Sequence, residues 1–323
     1  MGPRYFAPRS RAIAWPLMAV FLGLPIGAAT AQVARFDPAD YGKAQLPLRQ
    51  STGDAALYIA ANQGAFEPIG ELDAKDPIAA LARPIGRVDV VLRRRKTGEE
   101  IGASCTGSLL ADNYILTNHH CLPAEGEFEP VKASILLDYL TLDGKAAKRY
   151  AIAVKPMEWS ATLDYALVKA EGEPNAAYGA VKLQFAAGVP GQSLMVIHHP
   201  LGRPKMMSRF RCLALREQPD ATELRHRCDT LGGSSGSLLF NTRGEIVALH
   251  REGGLDPKDQ SSFNTATLLA PILAESAALR RLAASAAPDD RLAPPDQRPA
   301  ARAPTPPVGH LDTKQMNDIL RGR

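Results

Sequence analysis

Three short segments hold the side chains best suited to chemistry. The first ends in two adjacent histidines and a cysteine, the second places Asp164 before an apolar stretch, and the third is a glycine- and serine-rich run from Gly232 to Ser237. An imidazole can accept the proton of a hydroxyl that attacks a carbonyl, and a carboxylate can hold the other ring nitrogen. Glycines let successive backbone amides point at one oxygen atom. The three segments therefore contain the side chains that hydrolysis by a serine nucleophile requires.

Together the segments resemble the trypsin-like, chymotrypsin-fold serine peptidases, and more closely the bacterial branch that contains the V8-like glutamyl endopeptidases. The resemblance covers roughly residues 84–283. The Thr-x-x-His pattern ends at the second of the adjacent histidines, His120, and the Asp-x-Ala-Leu-Val pattern selects Asp164. The Gly-x-Ser-Gly pattern selects Ser235 as nucleophile, with the amides of Gly233 and Ser235 as oxyanion donors.

The resemblance implies a role for each member of this triad. His120 acts first as base and then as acid, while Asp164 holds the proton on its Nδ1 and stabilises the imidazolium. The peptide carbonyl oxygen becomes negative after attack by Ser235, and two backbone amides receive it. Because a free imidazole titrates near pH 6.5, we expect the rate to rise between roughly pH 6 and 8. This chemistry requires no cofactor, and a stabilising Ca²⁺ site stays open.

The sequence leaves the substrate preference open. Thr230 and His250 stand where the glutamyl endopeptidases line a pocket for Glu or Asp, whereas Asp229 stands where trypsin keeps the carboxylate that binds Lys or Arg. A pairing of Asp229 with His250 would leave a neutral pocket. Arg251 follows, and it departs from the usual pattern of the strand that pairs with substrate. Acidic, basic and neutral preferences are therefore three alternatives, the acidic one being favoured.

The four cysteines form two pairs with the same spacing. Cys105 and Cys121 lie 16 residues apart, as do Cys212 and Cys228. In an exported protein an even number of cysteines favours disulfides over metal ligands, and no Cys-x-x-Cys or His-x-x-x-His spacing supports zinc. The first pair could close the hairpin that carries the histidines, contributing about 3 kcal/mol. It also matches a disulfide of trypsin-type enzymes, and we expect the second to position the segment before the nucleophile.

Two other functions compete with the peptidase. Residues 232–236 also spell Gly-x-Ser-x-Gly, the nucleophile elbow of esterases, with Ser234 as nucleophile. That fold needs an Asp and then a His after the serine, and only His250 and His310 follow. A catalytically inactive trypsin-fold binding protein is the second alternative. It would leave the complete triad pattern unexplained.

The elements that must position these residues are mostly strands. Short apolar stretches separated by turn signals predict strands at 87–93, 101–110, 114–117, 132–138, 166–169, 193–197, 237–240 and 245–250. Residues 268–283 predict one closing helix, with Pro271 in its first turn. The resemblance implies an all-β fold of two six-stranded antiparallel Greek-key barrels followed by this C-terminal helix.

Composition and charge set the organisation of the chain. Of its 323 residues 45% are hydrophobic, and its 38 Lys and Arg residues nearly balance its 34 Asp and Glu residues. This high apolar content and low net charge exclude a disordered tail protein. Residues 1–31, basic and then uncharged up to Ala29-Thr30-Ala31, predict a cleaved signal peptide and hence a secreted or periplasmic protein. Residues 32–83 follow as an extension or pro-segment, 84–283 as the peptidase domain and 284–323 as a Pro/Ala-rich tail.

The same features predict the partners of the protein. Without the three arginines of the signal the chain is nearly neutral, so bulk charge does not suggest nucleic-acid binding. No later stretch is apolar enough to span a membrane, so we expect no stable insertion after signal cleavage. We expect the protein to be a monomer whose partners are protein or peptide substrates.

Overall fold

A computed structural model describes Gly2 and residues 33–47, 65–256 and 259–286. The chain divides into two units, residues 1–30 and 31–323, and the strands and helices of the described part all belong to the second. The predicted signal peptide, a helical patch expected at 54–62 and nearly all of the predicted tail lie outside the described residues. In the part of the chain that is described, no helix is both long and apolar enough to cross a bilayer.

The first sheet contains eight antiparallel strands. They are β1 (Ala34–Phe36), β3 (Ile85–Arg94), β4 (Glu100–Leu109), β5 (Tyr114–Thr117), β6 (Phe128–Leu137), β7 (Lys148–Ala151), β8 (Glu158–Ser160) and β9 (Tyr165–Lys169). Seven follow the order β7-β6-β3-β4-β5-β9-β8, and β1 pairs with β4. Ala153 donates to the carbonyl of Lys169 and Glu171 to that of Ala151, so the ends of β7 and β9 are hydrogen-bonded as well.

The second sheet contains seven antiparallel strands. They are β2 (Glu67–Pro68), β10 (Leu194–His198), β11 (Met206–Ser208), β12 (Glu223–His226), β13 (Leu238–Asn241), β14 (Ile246–Glu252) and β15 (Asn264–Leu268), in the order β12-β15-β14-β13-β10-β11-β2. The segment 212–215 lies between β10 and β12. Leu194 donates to the carbonyl of Cys212, and Leu215 donates to that of Arg225.

In the described part of the chain four α-helices accompany the sheets: α1 (Pro77–Ala82), α2 (Pro174–Tyr178), α3 (Leu269–Glu275) and α4 (Ala277–Ala286). The closing helix is therefore present, but it is divided at Ser276, whose backbone is extended. The Ser276 hydroxyl accepts a hydrogen bond from the Leu279 N–H, as an N-cap does, and Glu158 accepts from the Ala278 N–H. The interruption thus starts a second, capped helix.

The all-β fold with antiparallel sheets and a C-terminal helix is confirmed. Each sheet holds more than the six strands expected, in part because the extension adds β1 to the first sheet and β2 to the second. Side chains alternate along a strand, so β3 buries Val88 and Val90 in the apolar cluster of the first sheet and turns Arg87 and Asp89 to its other face. Both faces of β3 are thus covered.

Candidate active site

His120 and Asp164 meet because their strands are neighbours. His120 lies in the turn after β5, and Asp164 directly precedes β9, which pairs with β5 at Thr117 and Ala166. His120 Nδ1 lies 2.7 Å from Asp164 Oδ2, and the His120 N–H donates to Oδ1 at 2.9 Å. This double contact fixes the ring and places its proton on Nδ1. The lone pair of Nε2 is therefore available for catalysis.

Asp164 is held in an unusual backbone conformation. Its φ is +51°, in the left-handed region that few residues other than Gly, Asn and Asp adopt. Asn118 Nδ2 donates to the Asp164 carbonyl at 2.7 Å, and this contact supports the conformation. His120 Nε2 is buried and has no hydrogen-bond partner among the described residues. A buried, unpaired nitrogen acceptor beside an oriented carboxylate is an arrangement expected of a general base.

The glycine-rich turn before β13 forms the opposite side of the site. Gly233 and Gly236 have φ values of +95° and +84°, which favour glycine. A Cβ on Gly236 would lie 2.3 Å from Thr117 Oγ1 and 3.2 Å from Asn118 N, so this turn packs against the segment leading to His120. Within the described ranges, neither the Gly233 N–H nor the Ser235 N–H donates a hydrogen bond. Two free donors in a glycine turn suit a developing oxyanion.

Contacts with β4 fix the position of this turn. The Thr106 N–H donates to the Ser235 carbonyl at 2.8 Å, and Thr106 Oγ1 donates to the Gly233 carbonyl at 2.9 Å. The Ser235 hydroxyl donates to the carbonyl of Arg251 at 3.3 Å. Ser235 is therefore held from both sheets, and its hydroxyl contacts β14 beyond the last residue that pairs with β13.

Ser234, the alternative nucleophile, faces the interior. Its hydroxyl lies 2.8 Å from His198 Nδ1 and accepts a hydrogen bond from the Leu231 N–H at 3.1 Å. His198 Nε2 in turn contacts the Ser208 hydroxyl at 3.2 Å. Burial lowers the pKa of His198 to about 3, so this imidazole is neutral. Ser234 is fully buried within this series of hydrogen bonds, so an ester substrate cannot reach its hydroxyl. This arrangement argues against the esterase interpretation.

His250, a residue predicted for the specificity pocket, contacts a second buried histidine, His226. Cys228 N–H donates to His226 Nδ1 at 3.2 Å, which places the His226 proton on Nε2. His226 Nε2 lies 3.2 Å from His250 Nδ1, so it donates there and leaves the His250 proton on its own Nε2. Burial lowers the pKa of His226 to about 3; burial and the nearby histidines bring the pKa of His250 well below 6.5. Both rings are therefore neutral.

The other predicted pocket residues lie nearby in differing environments. Thr230 Oγ1 accepts a hydrogen bond from Asn264 Nδ2 at 2.9 Å, which leaves the threonine proton free to donate. Arg251 Nη2 lies 3.2 Å from Glu223 Oε2, so its charge is directed along the sheet. Asp229 is half-buried. Asn264 also accepts hydrogen bonds from two amides of the 254–255 segment, an organising role that no sequence motif indicates.

Both expected disulfides are present. Cys105 is bonded to Cys121 and Cys212 to Cys228, with S–S distances of 2.01 and 2.00 Å. The first joins β4 to the turn that carries His120. Ligand atoms of Cys105, His120 and Cys121 lie within 4.8 Å of one another, as in a metal site. Because both sulfurs are committed to the disulfide, neither can bind a metal as thiolate.

Two antiparallel sheets that bring a carboxylate-bound histidine to a glycine-rich serine turn define the class of the serine peptidases. Residues 105–249, which include His120, Asp164 and Ser235, match the family model of the trypsin-like peptidase domain. Over these residues the chain therefore matches a trypsin-like peptidase domain.

Other known proteins resemble the chain at low identity. The secreted RxLR effector protein 73 of Plasmopara viticola is 26% identical over 169 residues, 46% of this chain and 41% of that protein. The uncharacterized protein y4fB of Sinorhizobium fredii is also 26% identical, over 46% of this chain and 25% of its own length. The chain thus spans less than half of either relative.

Solved structures resemble it as well. A Glu endopeptidase is 18% identical, with 64% of this chain and 90% of that one covered and a TM-score of 0.44. A serine endoprotease of Yersinia pestis is 14% identical, with 66% and 67% covered and a TM-score of 0.46.

Proposed function

We propose that the protein is an exported serine endopeptidase in which Ser235 is the nucleophile, His120 the base and Asp164 the residue that orients the base. The observation that carries this proposal is the His120–Asp164 pair, which leaves an unpartnered Nε2 beside a turn with two free N–H groups. Removal of the hydroxyl proton by Nε2 makes Ser235 nucleophilic. The Gly233 and Ser235 amides then stabilise the tetrahedral oxyanion, each contributing about 3 to 4 kcal/mol.

Substrate binding would also redirect the nucleophile. The Ser235 hydroxyl donates to the carbonyl of Arg251, which lies in β14 beyond the last residue that pairs with β13. An extended peptide added to this part of β14 would offer its own N–H to that carbonyl. The hydroxyl is then released and can rotate toward His120 Nε2. We infer that the peptide substrate itself helps to assemble the catalytic hydrogen bond, since such bonds are often loose before substrate binds.

We further propose an acidic residue before the scissile bond, as in the V8-like branch. The His226–His250 pair supports this choice, because it leaves an N–H on His250 Nε2, and Thr230 retains a hydroxyl proton. Two neutral donors can bind a carboxylate without a buried positive charge. The competing basic preference would depend on Asp229. Cleavage-site profiling with a peptide library separates the two.

Two disulfides support export, because such bonds persist in oxidising compartments. The secreted or periplasmic location, the cleaved signal and a monomeric state remain proposals. Mass spectrometry of the processed N-terminus and light scattering test them directly.

Reaction with a fluorophosphonate probe tests the nucleophile. We expect wild-type protein to be labelled once and to cleave a casein substrate, and Ser235→Ala to lose both. The matched variant Ser234→Ala removes an interior hydroxyl with two hydrogen-bond contacts, so it should lose stability but keep labelling. Labelling that persists in Ser235→Ala would refute the assignment. Folded wild-type protein without any labelling would favour the inactive binding protein.

A further inference from the structure

A fully buried arginine connects the N-terminal segment, residues 33–47, to the catalytic turn. Arg87 lies on the outer face of β3 and uses all five of its N–H donors. Two of them bind Asp89 at 2.8 Å, one binds the Gly202 carbonyl at 2.7 Å, and the remaining two bind the carbonyls of Lys43 and Ala44. Such complete saturation makes the position of this guanidinium depend on the N-terminal segment.

The buried charges around Arg87 depend on the same segment. Asp89 is fully buried and also binds Arg149 Nη1 at 2.7 Å, so two guanidinium groups share one carboxylate. Backbone carbonyl oxygens compensate the excess positive charge. The Lys43 carbonyl oxygen accepts hydrogen bonds from both arginines, from Arg87 at 2.9 Å and from Arg149 at 3.1 Å. Without residues 43 and 44 the cluster would hold a buried, poorly compensated positive charge, which is costly.

The segment is packed as part of the protein rather than laid over it. β1 pairs with β4 from Ala34 at Ser104 to Phe36 at Gly102. Phe36 is only 1% exposed, and a Cβ on Gly102 would lie 2.5 Å from its ring. A side chain at position 102 would therefore displace the Phe36 ring from β4.

On the other side of Arg87, the chain around Gly202 supports the oxyanion turn. Leu201, next to the carbonyl that Arg87 binds, donates its N–H to the Gly232 carbonyl at 2.6 Å. A Cβ on Gly233 would lie 2.6 Å from the His199 carbonyl and 3.1 Å from Gly202 N. The backbone of residues 199–202 is thus in direct contact with the turn that offers the two free N–H groups.

We propose that Arg87 is a positioning residue that couples residues 33–47 to the oxyanion turn, so that this segment is a permanent part of the active enzyme and its loss inactivates the enzyme. This inference rests on the proposed function and deepens it. Of the two interpretations of residues 32–83, it favours a retained extension over a removable pro-segment. The carbonyls of Lys43 and Ala44 bind the Arg87 guanidinium, which also binds the Gly202 carbonyl. The backbone of residues 199–202 in turn packs against Gly233.

Arg87→Lys tests the coupling, because a lysine keeps the charge but cannot bind five partners. We expect kcat on a peptide p-nitroanilide to fall 10- to 100-fold while KM stays within twofold. Affinity for a peptide boronic acid, which needs the oxyanion donors, should fall by a similar factor, and affinity for the product peptide should not change. Arg93→Lys is the matched control, since Arg93 lies on the same strand but is exposed and paired with Glu100. A folded Arg87→Lys protein with unchanged kcat overturns the proposal.

A second experiment applies if Arg87→Lys does not fold. A specific protease site inserted after Pro47 lets folded enzyme be cut and the 33–47 peptide be separated from it. We expect fluorophosphonate labelling to slow at least tenfold on release of the peptide and to recover when synthetic peptide is added back. Labelling at the original rate after release refutes the coupling. Absence of labelling in the uncut wild-type enzyme would overturn the proposed function itself, and the coupling with it.

Discussion

Individual histidines differ in this protein because their surroundings differ. His198 and His226 are fully buried among neutral groups, and burial lowers the pKa of each to about 3. His120 instead lies against the Asp164 carboxylate with one nitrogen unpartnered. The same side chain can therefore be a neutral structural group or, as we propose for His120, a base, according to what its two nitrogens contact.

A single N–H on His250 underlies the proposed acidic preference. His250→Val removes the only donor on that ring, so kcat/KM for substrates with Glu before the scissile bond should fall at least 10-fold. Substrates with Gln there should change less than threefold. His226→Leu frees the His250 tautomer and should have a weaker effect in the same direction. Steady-state kinetics with matched Glu, Gln and Lys peptides measure these changes in kcat/KM. Equal losses for all three peptides would contradict the acidic preference. A preference for Lys that Asp229→Asn abolishes would favour the basic alternative.

The candidate triad residues could be selected from the sequence, and the contact between His226 and His250 could not. The motifs around His120, Asp164 and Ser235 each include their own turn and strand, so local pattern identifies the residue. His226 and His250 lie on β12 and β14, which are not neighbours but flank β15 on either side. Their contact depends on a sheet order that no local spacing encodes. Asn264 escaped prediction for the same reason, because it lies on β15 between them.

At the scale of elements, strands with runs of Val, Ile and Leu were predicted, and several strands without such runs were missed. β3, β5, β9 and β14 contain runs of Val, Ile and Leu, which favour strands. β8 is the three-residue Glu158–Ser160, and it forms because β9 offers it hydrogen-bond partners. β1 and β2 are likewise induced by β4 and β11. Pairing with an existing edge, rather than propensity, explains why the extension could be taken for a pro-segment.

Gly236→Ala tests how tightly the catalytic turn packs between the two sheets. A Cβ there would lie 2.3 Å from both Thr106 O and Thr117 Oγ1, so backbone must move. We expect a loss of more than about 3 kcal/mol in the free energy of unfolding, together with loss of activity.

Gly244→Ala is the matched control. Its φ of +75° is close to the +84° of Gly236, but its nearest neighbour would be Leu81 Cδ2 at 3.9 Å. This variant loses only the cost of the left-handed backbone, about 1 to 2 kcal/mol. Urea unfolding measures both variants, and equal losses would show that backbone conformation, not contact between the sheets, explains the glycine at 236.

For the whole molecule, buried ionisable groups link the fold to pH. His198, His199, His226 and His250 are all buried, and burial holds the pKa of each below 6.5. In the unfolded chain these rings would titrate near 6.5. At pH values between the folded and the unfolded pKa, the unfolded state therefore binds more protons than the folded state. A fall in pH through this range lowers the free energy of unfolding. The folded state keeps its full stability above about pH 6.5 and loses it below.

The predicted magnitude is large because the four contributions act in the same direction. His198 and His226, whose pKa values in the folded protein are about 3, should each cost about 1.4 kcal/mol per pH unit between about pH 6.5 and 4. His199 and His250 act in the same direction, so the melting temperature should fall steeply over this range. The Ser235→Ala background avoids self-digestion during calorimetry. In that background His198→Gln should be less stable at pH 7.5, because it disturbs the contacts with Ser234 and Ser208. Its free energy of unfolding should nevertheless fall less steeply with decreasing pH, because about one proton fewer is taken up on unfolding. A slope identical to that of the parent would mean that His198 is already protonated in the folded protein, which would contradict the neutral, closed chain that keeps Ser234 out of the chemistry.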